Sequence, residues 1–150
     1  MKILISETFN YSFDVNLFAI KELLKRKGLE AFFYRDEYDE YNNITAKRLS
    51  DSEKLEDLQW CEEDIVVTTT DYGEYVSYSE LLEYDFDLED LRTDKDLITI
   101  YEQYGSKISD YELGIKEIPD GTYYYISDDG GFEHIIVKED YNWKIAEDNS

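Results

Sequence analysis

The residues best suited to catalysis are few, because the chain contains one histidine, His134, and one cysteine, Cys61. A Ser-His-Asp or Cys-His device would have to use one of them, and no nucleophile elbow or flanking signature accompanies either. Cys61 is followed by Glu62, Glu63 and Asp64, whose negative charge disfavours the reactive thiolate. We therefore predict that the protein is not an enzyme.

The residue pattern also gives little support for a metal site or a phosphate site. The stretch 85–90 alternates like an EF-hand loop, but loop position six is Asp90 where glycine is needed for the turn. Loop position twelve is Asp96, which is shorter than the expected glutamate. Gly130-Gly131 lies in a predicted turn and does not lead into a helix, as a phosphate cradle would. We predict no metal and no cofactor. Because acidic pairs are abundant, a small enzyme with two catalytic carboxylates stays open as an alternative.

Charge is the most prominent feature of the chain, with 15 Lys and Arg against 37 Asp and Glu and a net charge of −22. Residues 1–35 carry a net charge of +2, whereas 36–64, 71–96 and 97–150 each carry −8. Such a surface repels nucleic acid and anionic membranes and attracts basic proteins. Solubility is the competing interpretation of the same charge. The predicted partner is a basic host protein, and we predict no direct binding of nucleic acid or membrane.

Fifteen tyrosines are the second unusual feature, and many of them alternate with acids. Tyrosine favours binding hot spots, and spaced carboxylates can imitate the phosphates of a nucleic-acid duplex. Other tyrosines are expected to fill the core, among them Tyr101, Tyr104, Tyr123 and Tyr125. The predicted partner-binding residues lie in two acidic segments: Glu83, Asp85, Asp87, Glu89, Asp90, Asp94 and Asp96 in one, and Asp36, Glu37, Tyr38, Asp39 and Glu40 in the other.

The N-terminal residues predict a βαβ unit. An apolar run at 2–6 and the stretch 31–34 are typical of strands, and 13–27 has the spacing of an amphipathic helix. Asn10-Tyr11-Ser12 offers N-caps for this helix, and Gly28 is placed to end it. A strand, a helix and a strand within this length predict two parallel strands.

The rest of the chain predicts further strands and one more long helix. An acidic loop is expected at 36–43, a short helix at 50–60, and strands at 65–70 and 75–78. Thr93 is the predicted N-cap of a helix that ends at Gly105. Strands at 111–118, 122–127 and 132–138, separated by turns, predict a β-meander. We therefore predict one α+β domain over 1–150. It consists of an N-terminal βαβ unit and a C-terminal antiparallel meander, in a single mixed sheet with helices on one face.

The segment from Arg92 onward carries a recognisable pattern. It runs Arg92-Thr93-Asp94-Lys95-Asp96-Leu97-Ile98, then Leu113-Gly114-Ile115-Lys116-Glu117-Ile118-Pro119-Asp120, then Asp129-Gly130-Gly131-Phe132-Glu133-His134, and Trp143. This pattern resembles that of a group of small accessory proteins of bacteriophages and prophages. The chain departs from the group at Lys95, where the group has proline. It departs again at Asp140-Tyr141-Asn142-Trp143, where the group often has a basic His-Arg-x-Trp segment. The resemblance implies a phage origin and a role in antagonising host defence.

Charge and resemblance together predict a phage-encoded counter-defence protein. It would be a non-catalytic inhibitor that binds a basic, nucleic-acid-handling host defence protein of the restriction or CRISPR type through an acidic, tyrosine-rich, DNA-mimicking surface. The alternative is a sponge for a small nucleotide immune messenger, with Arg92 and Trp143 as ligand-binding residues. The chain has no apolar run of about 18 residues and no signal-peptide pattern, so we predict the host bacterial cytoplasm. A homodimer is compatible with these features.

Overall fold

The computed structural model describes residues 1–38, 44–60, 65–77, 79–81, 86, 88, 90–128 and 131–138. Within these residues the chain forms two α-helices and eight strands, so the predicted α+β class is confirmed. The helices are α1 (Leu17–Arg26) and α2 (Lys95–Tyr104). The strands are β1 (Lys2–Ser6), β2 (Phe32–Tyr38), β3 (Ile44–Arg48), β4 (Ile65–Thr68), β5 (Tyr75–Ser77), β6 (Leu113–Glu117), β7 (Tyr124–Ser127) and β8 (His134–Val137).

The described strands form three antiparallel sheets instead of the predicted single mixed sheet. β1 pairs with β6, the order β4-β2-β3-β5 makes a second sheet, and β7 pairs with β8. The predicted parallel βαβ unit is wrong, because β2 uses one edge for β3 and the other for β4 and so has no edge left for β1. The predicted meander is reduced to the β7–β8 hairpin, because its first strand pairs with β1.

Helix α1 begins at Leu17, four residues later than the apolar spacing predicts. Asn16 is its N-cap, in place of the predicted 10–12 segment, and its Oδ1 accepts a hydrogen bond from the Ala19 N–H at 3.0 Å. The preceding residues are held extended by distant partners. The Asn16 N–H donates to the Ile108 carbonyl at 2.8 Å, and the Trp60 N–H donates to the Val15 carbonyl at 2.9 Å. These bonds compete with helix formation before Asn16.

Helix α2 lies where the sequence predicts it, with its first cap displaced by one residue. Asp94 is the N-cap, and its Oδ1 accepts hydrogen bonds from the N–H groups of Asp96 and Leu97. Thr93, the predicted cap, belongs to a 3₁₀ turn at Leu91–Thr93. Gly105 ends the helix with φ +58°, a conformation that glycine adopts readily. The charged cap thus replaces the hydroxyl cap because its carboxylate reaches two backbone donors.

The region between the two helices is more extended than predicted. β2 continues to Tyr38 and pairs with β3, so Asp36 and Glu37 lie in a strand and not in the predicted loop. The predicted helix at 50–60 contains a 3₁₀ turn at Leu55–Asp57. The residues after this turn are drawn into backbone pairing with the segment before α1, since the Leu17 N–H donates to the Leu58 carbonyl at 2.9 Å.

Two apolar clusters lie on the two faces of the four-stranded sheet. The larger joins both helices with β1, β6 and one face of β2 and β4, and its fully buried members include Leu4, Ile20 and Leu97. The smaller packs Tyr34, Ala46 and neighbouring aliphatic residues on the opposite face. Neither of the described helices is long and apolar enough to cross a bilayer.

Candidate protein-binding surface

The predicted acidic residues in the first segment lie at the end of β2. Asp36 and Glu37 are both solvent-exposed there, opposite Ala46 and Thr45 of β3. Tyr38 is the last residue of the strand, and Asp39 and Glu40 lie outside the described residues. The structure therefore brings two of the predicted carboxylates to one exposed strand end.

The described acids of the second segment hold local structure together. The Asp90 Oδ1 accepts a hydrogen bond from the Arg92 N–H at 3.0 Å. Lys27, the residue that follows α1, lies between Asp94 and Asp96, with its Nζ 2.9 and 3.2 Å from their carboxylate oxygens. The hydrogen bond to Asp94 is the main cause that raises the pKa of Lys27 above its ordinary value. The remaining members of this segment, Glu83, Asp85, Asp87 and Glu89, lie outside the described residues.

Arg92, the predicted nucleotide ligand, has a partner inside the protein. Its Nη1 donates to Glu133 Oε1 at 2.8 Å, and its Nη2 donates to Glu133 Oε2 at 2.7 Å. The guanidinium also lies 5.0 Å from the centroid of the Phe13 ring. Such a bidentate pair uses the strongest geometry available to a guanidinium. Trp143, the second predicted ligand residue, lies outside the described residues.

Glu133 closes the loop that joins β1 to the segment before α1. Its Oε1 accepts the Ser6 N–H at 2.6 Å and its Oε2 accepts the Phe13 N–H at 3.2 Å, so one carboxylate ties both ends of this loop. The Glu133 side chain is only 4% exposed. Burial opposes its ionisation, but the hydrogen bonds from Arg92, Ser6 and Phe13 together outweigh burial and lower the pKa of Glu133.

The loop between these two bonds, residues 7–12, has a defined conformation. The Tyr11 N–H donates to the Thr8 carbonyl at 3.2 Å, and Asn10 adopts φ +64°. The Asn10 N–H donates to the Gly131 carbonyl at 2.6 Å. On the other side, the Thr8 hydroxyl accepts the Glu112 N–H at 2.6 Å. The loop is therefore fastened to the β7–β8 hairpin on one side and to the start of β6 on the other.

This conformation places two pairs of aromatic rings at the protein surface. Phe9 lies against Phe132 with ring centroids 5.2 Å apart, and Tyr11 stacks on Tyr111 at 4.8 Å. Phe9, Tyr11 and Phe132 remain 54%, 52% and 49% exposed. We call Phe9, Tyr11, Tyr111 and Phe132 the loop surface. Large exposed rings on a fixed backbone are typical of a protein-binding site.

Carboxylates flank the loop surface. Four exposed acids lie within two residues of its aromatic residues or next to β7 of the hairpin: Glu7, Asp110, Glu112 and Asp128. None of them forms a salt bridge with another described residue. Glu7 and Glu112 act together on Tyr101, whose pKa is raised mainly by burial and further by these two negative charges. The surface therefore combines apolar rings with negative charge.

No known protein family, curated protein or solved structure matches this chain. The loop surface must accordingly be interpreted from its own chemistry.

The remaining candidates for catalysis are His134 and Cys61. His134 is exposed on β8, with its Nδ1 3.3 Å from the Phe132 carbonyl. Cys61 lies outside the described residues. Tyr34, which lies two residues before Asp36, is fully buried. Its hydroxyl donates to the Gly73 carbonyl at 2.9 Å and accepts a hydrogen bond from Arg48 at the same distance. This tyrosine fastens the loop after β4 and does not face a partner.

Sequence reasoning missed the loop surface. It assigned the segment around Tyr11 to helix capping and gave no role to Phe9 or Phe132. The available signal was the pair of aromatic residues in a polar stretch between a strand and a helix, Phe9 and Tyr11.

Proposed function

We propose that this protein is a phage-encoded counter-defence protein that binds a basic, nucleic-acid-handling host defence protein and inhibits it without catalysis. The observation that carries the proposal is the loop surface. Its exposed rings lie on a loop fixed by the partly buried Arg92–Glu133 pair, and carboxylates flank them. Rings of this kind provide binding energy, and the carboxylates select a basic partner.

The net charge of −22 supports the same partner class. Restriction enzymes and CRISPR effectors hold nucleic acid in positively charged channels, which an acidic protein can occupy in place of DNA. The acids at 36–40 and 83–90 add further negative charge that a basic partner could use. The proposed compartment is the host bacterial cytoplasm, where these targets act.

The nucleotide-sponge alternative has less support from the geometry. Both terminal nitrogens of Arg92 are bonded to Glu133, so the guanidinium is not available to a phosphate without breaking a buried pair. Calorimetry of the purified protein against a panel of cyclic nucleotides distinguishes the two functions. Micromolar binding of any nucleotide would favour the sponge over the inhibitor.

The direct test is a titration of the protein into purified restriction endonucleases and CRISPR effectors, with DNA cleavage as the readout. We expect inhibition that saturates at a fixed ratio of inhibitor to target. The inhibition should weaken when the salt concentration rises from about 0.1 M to about 0.5 M, because charge attraction is screened. Inhibition by far less than one inhibitor per target, with multiple turnovers, would instead indicate an enzyme.

Charge-reversal variants locate the binding charge. One variant changes Asp110, Glu112 and Asp128 to lysine beside the loop surface, and a second changes Asp85, Asp87 and Glu89 in the acidic segment. The control changes the exposed acids Glu30, Glu74 and Glu117, which lie on other elements. Each variant shifts the net charge equally, from −22 to −16. We expect the first two variants to lose inhibition and the control to keep it. Equal inhibition by all three would show that no defined acidic surface is involved.

A further inference from the structure

The loop already holds one arginine on its buried side. The Arg92 guanidinium lies 5.0 Å from the centroid of the Phe13 ring and donates to both oxygens of Glu133. A ring face and a carboxylate therefore form one arginine site, at the foot of the loop. The exposed side of the loop presents the same two kinds of group, with the rings of Phe9 and Tyr11 and the carboxylates that flank them.

None of the arginines of this chain uses the exposed side of the loop. The chain has four arginines, and each is engaged elsewhere: Arg26 with Gln103, Arg35 with Glu53, Arg48 with Asp71 and Tyr34, and Arg92 with Glu133. An arginine that bound to the exposed side of the loop would therefore belong to another molecule.

We infer that the loop surface binds a protein segment that carries arginine side chains. This inference rests on the proposed function and identifies which basic residue the partner presents. A planar guanidinium stacks on an aromatic face while its N–H groups bind a carboxylate bidentately. Lysine offers a compact and strongly hydrated ammonium, which gains less from exposed rings. The rings of the loop surface are about half exposed, and the carboxylates beside them form no salt bridges with the described residues. This combination therefore favours arginine over lysine.

The test uses two synthetic peptides of equal length and charge, one of alternating glycine and arginine and the other of alternating glycine and lysine. Binding of each to the full-length protein is measured by calorimetry at near-physiological salt. We expect the arginine peptide to bind about tenfold more tightly, as two ring contacts would provide. Equal affinity of the two peptides would overturn the inference, because it would indicate attraction by net charge only.

Paired variants assign the effect to the loop surface. The variant Phe9→Ala/Tyr11→Ala removes two exposed rings, and the control Tyr123→Ala/Tyr125→Ala removes two exposed rings on the β7–β8 hairpin region. We expect the first variant to lose the preference for arginine and the second to keep it, with folding of both checked by circular dichroism. Loss of the preference in both variants, or in neither, would contradict the assignment.

The same variants separate this inference from the proposed function. If Phe9→Ala/Tyr11→Ala inhibits the defence protein as well as the parent does, the loop surface is not the contact and the inference fails while the inhibitor function stands. If the parent inhibits no defence protein but still prefers the arginine peptide, the inhibitor function fails and the arginine site remains.

Discussion

Replacing Glu133 with glutamine tests the role of the buried ion pair. The carboxylate accepts hydrogen bonds from the Ser6 and Phe13 N–H groups and from both terminal nitrogens of Arg92. In Glu133→Gln, the amide NH₂ would face two of these donors in either orientation. Breaking a buried pair from one side costs about 3–5 kcal/mol. Because the Arg92 side chain is 21% exposed and recovers some hydration, we expect about 2–4 kcal/mol.

This loss of stability corresponds to a thermal midpoint lower by about 5–15 °C for a domain of this size. Thermal and urea unfolding of the parent, Glu133→Gln, Arg92→Met and the double variant give a double-mutant cycle. We expect the double variant to be less destabilised than the sum of the two single variants. Glu117→Gln on the exposed side of β6 is the control and should leave the midpoint unchanged. Additive effects, or a midpoint shift of less than about 1 °C in Glu133→Gln, would refute the reasoning.

The pH dependence of the same variant follows from the lowered pKa of Glu133. A carboxyl group whose pKa is lower in the folded protein stabilises it fully above the ordinary value of 4.5, and this stabilisation is lost as the pH falls through the folded pKa. We therefore expect the difference in unfolding free energy between parent and Glu133→Gln to shrink below pH 4.5. The pKa of Asp71 is also lowered, mainly by the hydrogen bond from the Gly73 N–H and then by Arg48. Because Asp71 is present in both proteins, its contribution cancels in the difference between parent and variant.

Three further predictions concern single positions. Asp94→Ala should cost about 1–2 kcal/mol in urea unfolding, because α2 loses its cap, and Asp94→Asn should cost less because an amide oxygen can still cap. Gly131→Ala should lower the thermal midpoint more than Gly28→Ala. The φ angle is +80° at Gly28 and +86° at Gly131, so alanine is strained at both positions. At Gly131, however, the added Cβ would also lie 2.3 Å from the Phe9 ring. His134→Ala should keep inhibition within about twofold, whereas loss of a general base would cost ~10²–10⁴ in rate.

The presence of the two α-helices and of the turn at 119–122 could be predicted because their signals are local. Leu17, Ile20 and Leu24 recur on one helical face, and Gly28 ends the same helix with φ +80°. The turn at 119–122 follows in the same way from Pro119 and Gly121, and the Thr122 N–H donates to the Pro119 carbonyl at 3.3 Å. Each of these elements is specified by residues within a few positions of one another.

The pairing of strands could not be predicted from the same signals. β1 pairs with β6, which follows more than a hundred residues later, and the sequence of neither strand specifies the other as its partner. The rule that favours a parallel βαβ unit assumes that the second strand has a free edge, and β2 has none. The predicted start of α1 is wrong for a related reason, because the backbone before Asn16 is hydrogen-bonded to residues remote in sequence.

The prediction of which tyrosines are buried is correct for α2 and wrong for the hairpin. Tyr123 and Tyr125 were predicted to fill the core, and both are exposed on the hairpin. Tyr101 and Tyr104 do pack against the main core, as predicted. The two pairs of tyrosines differ in burial because a two-stranded hairpin covers little apolar surface, whereas the inner face of α2 packs against other elements.

The partly buried ion pair between Arg92 and Glu133 explains how a chain with such a large negative charge can present a defined surface. Burying Arg92 and Glu133 adds little net stability, because each charge loses its hydration. The pair instead makes other loop conformations costly, since releasing Ser6 or Phe13 from Glu133 would leave a buried charge with fewer donors. A loop held in this way loses little conformational entropy when a partner binds, so the exposed rings can contribute more of their contact energy to affinity. These hydrogen bonds also oppose the repulsion among the flanking carboxylates, which would otherwise spread a flexible acidic segment.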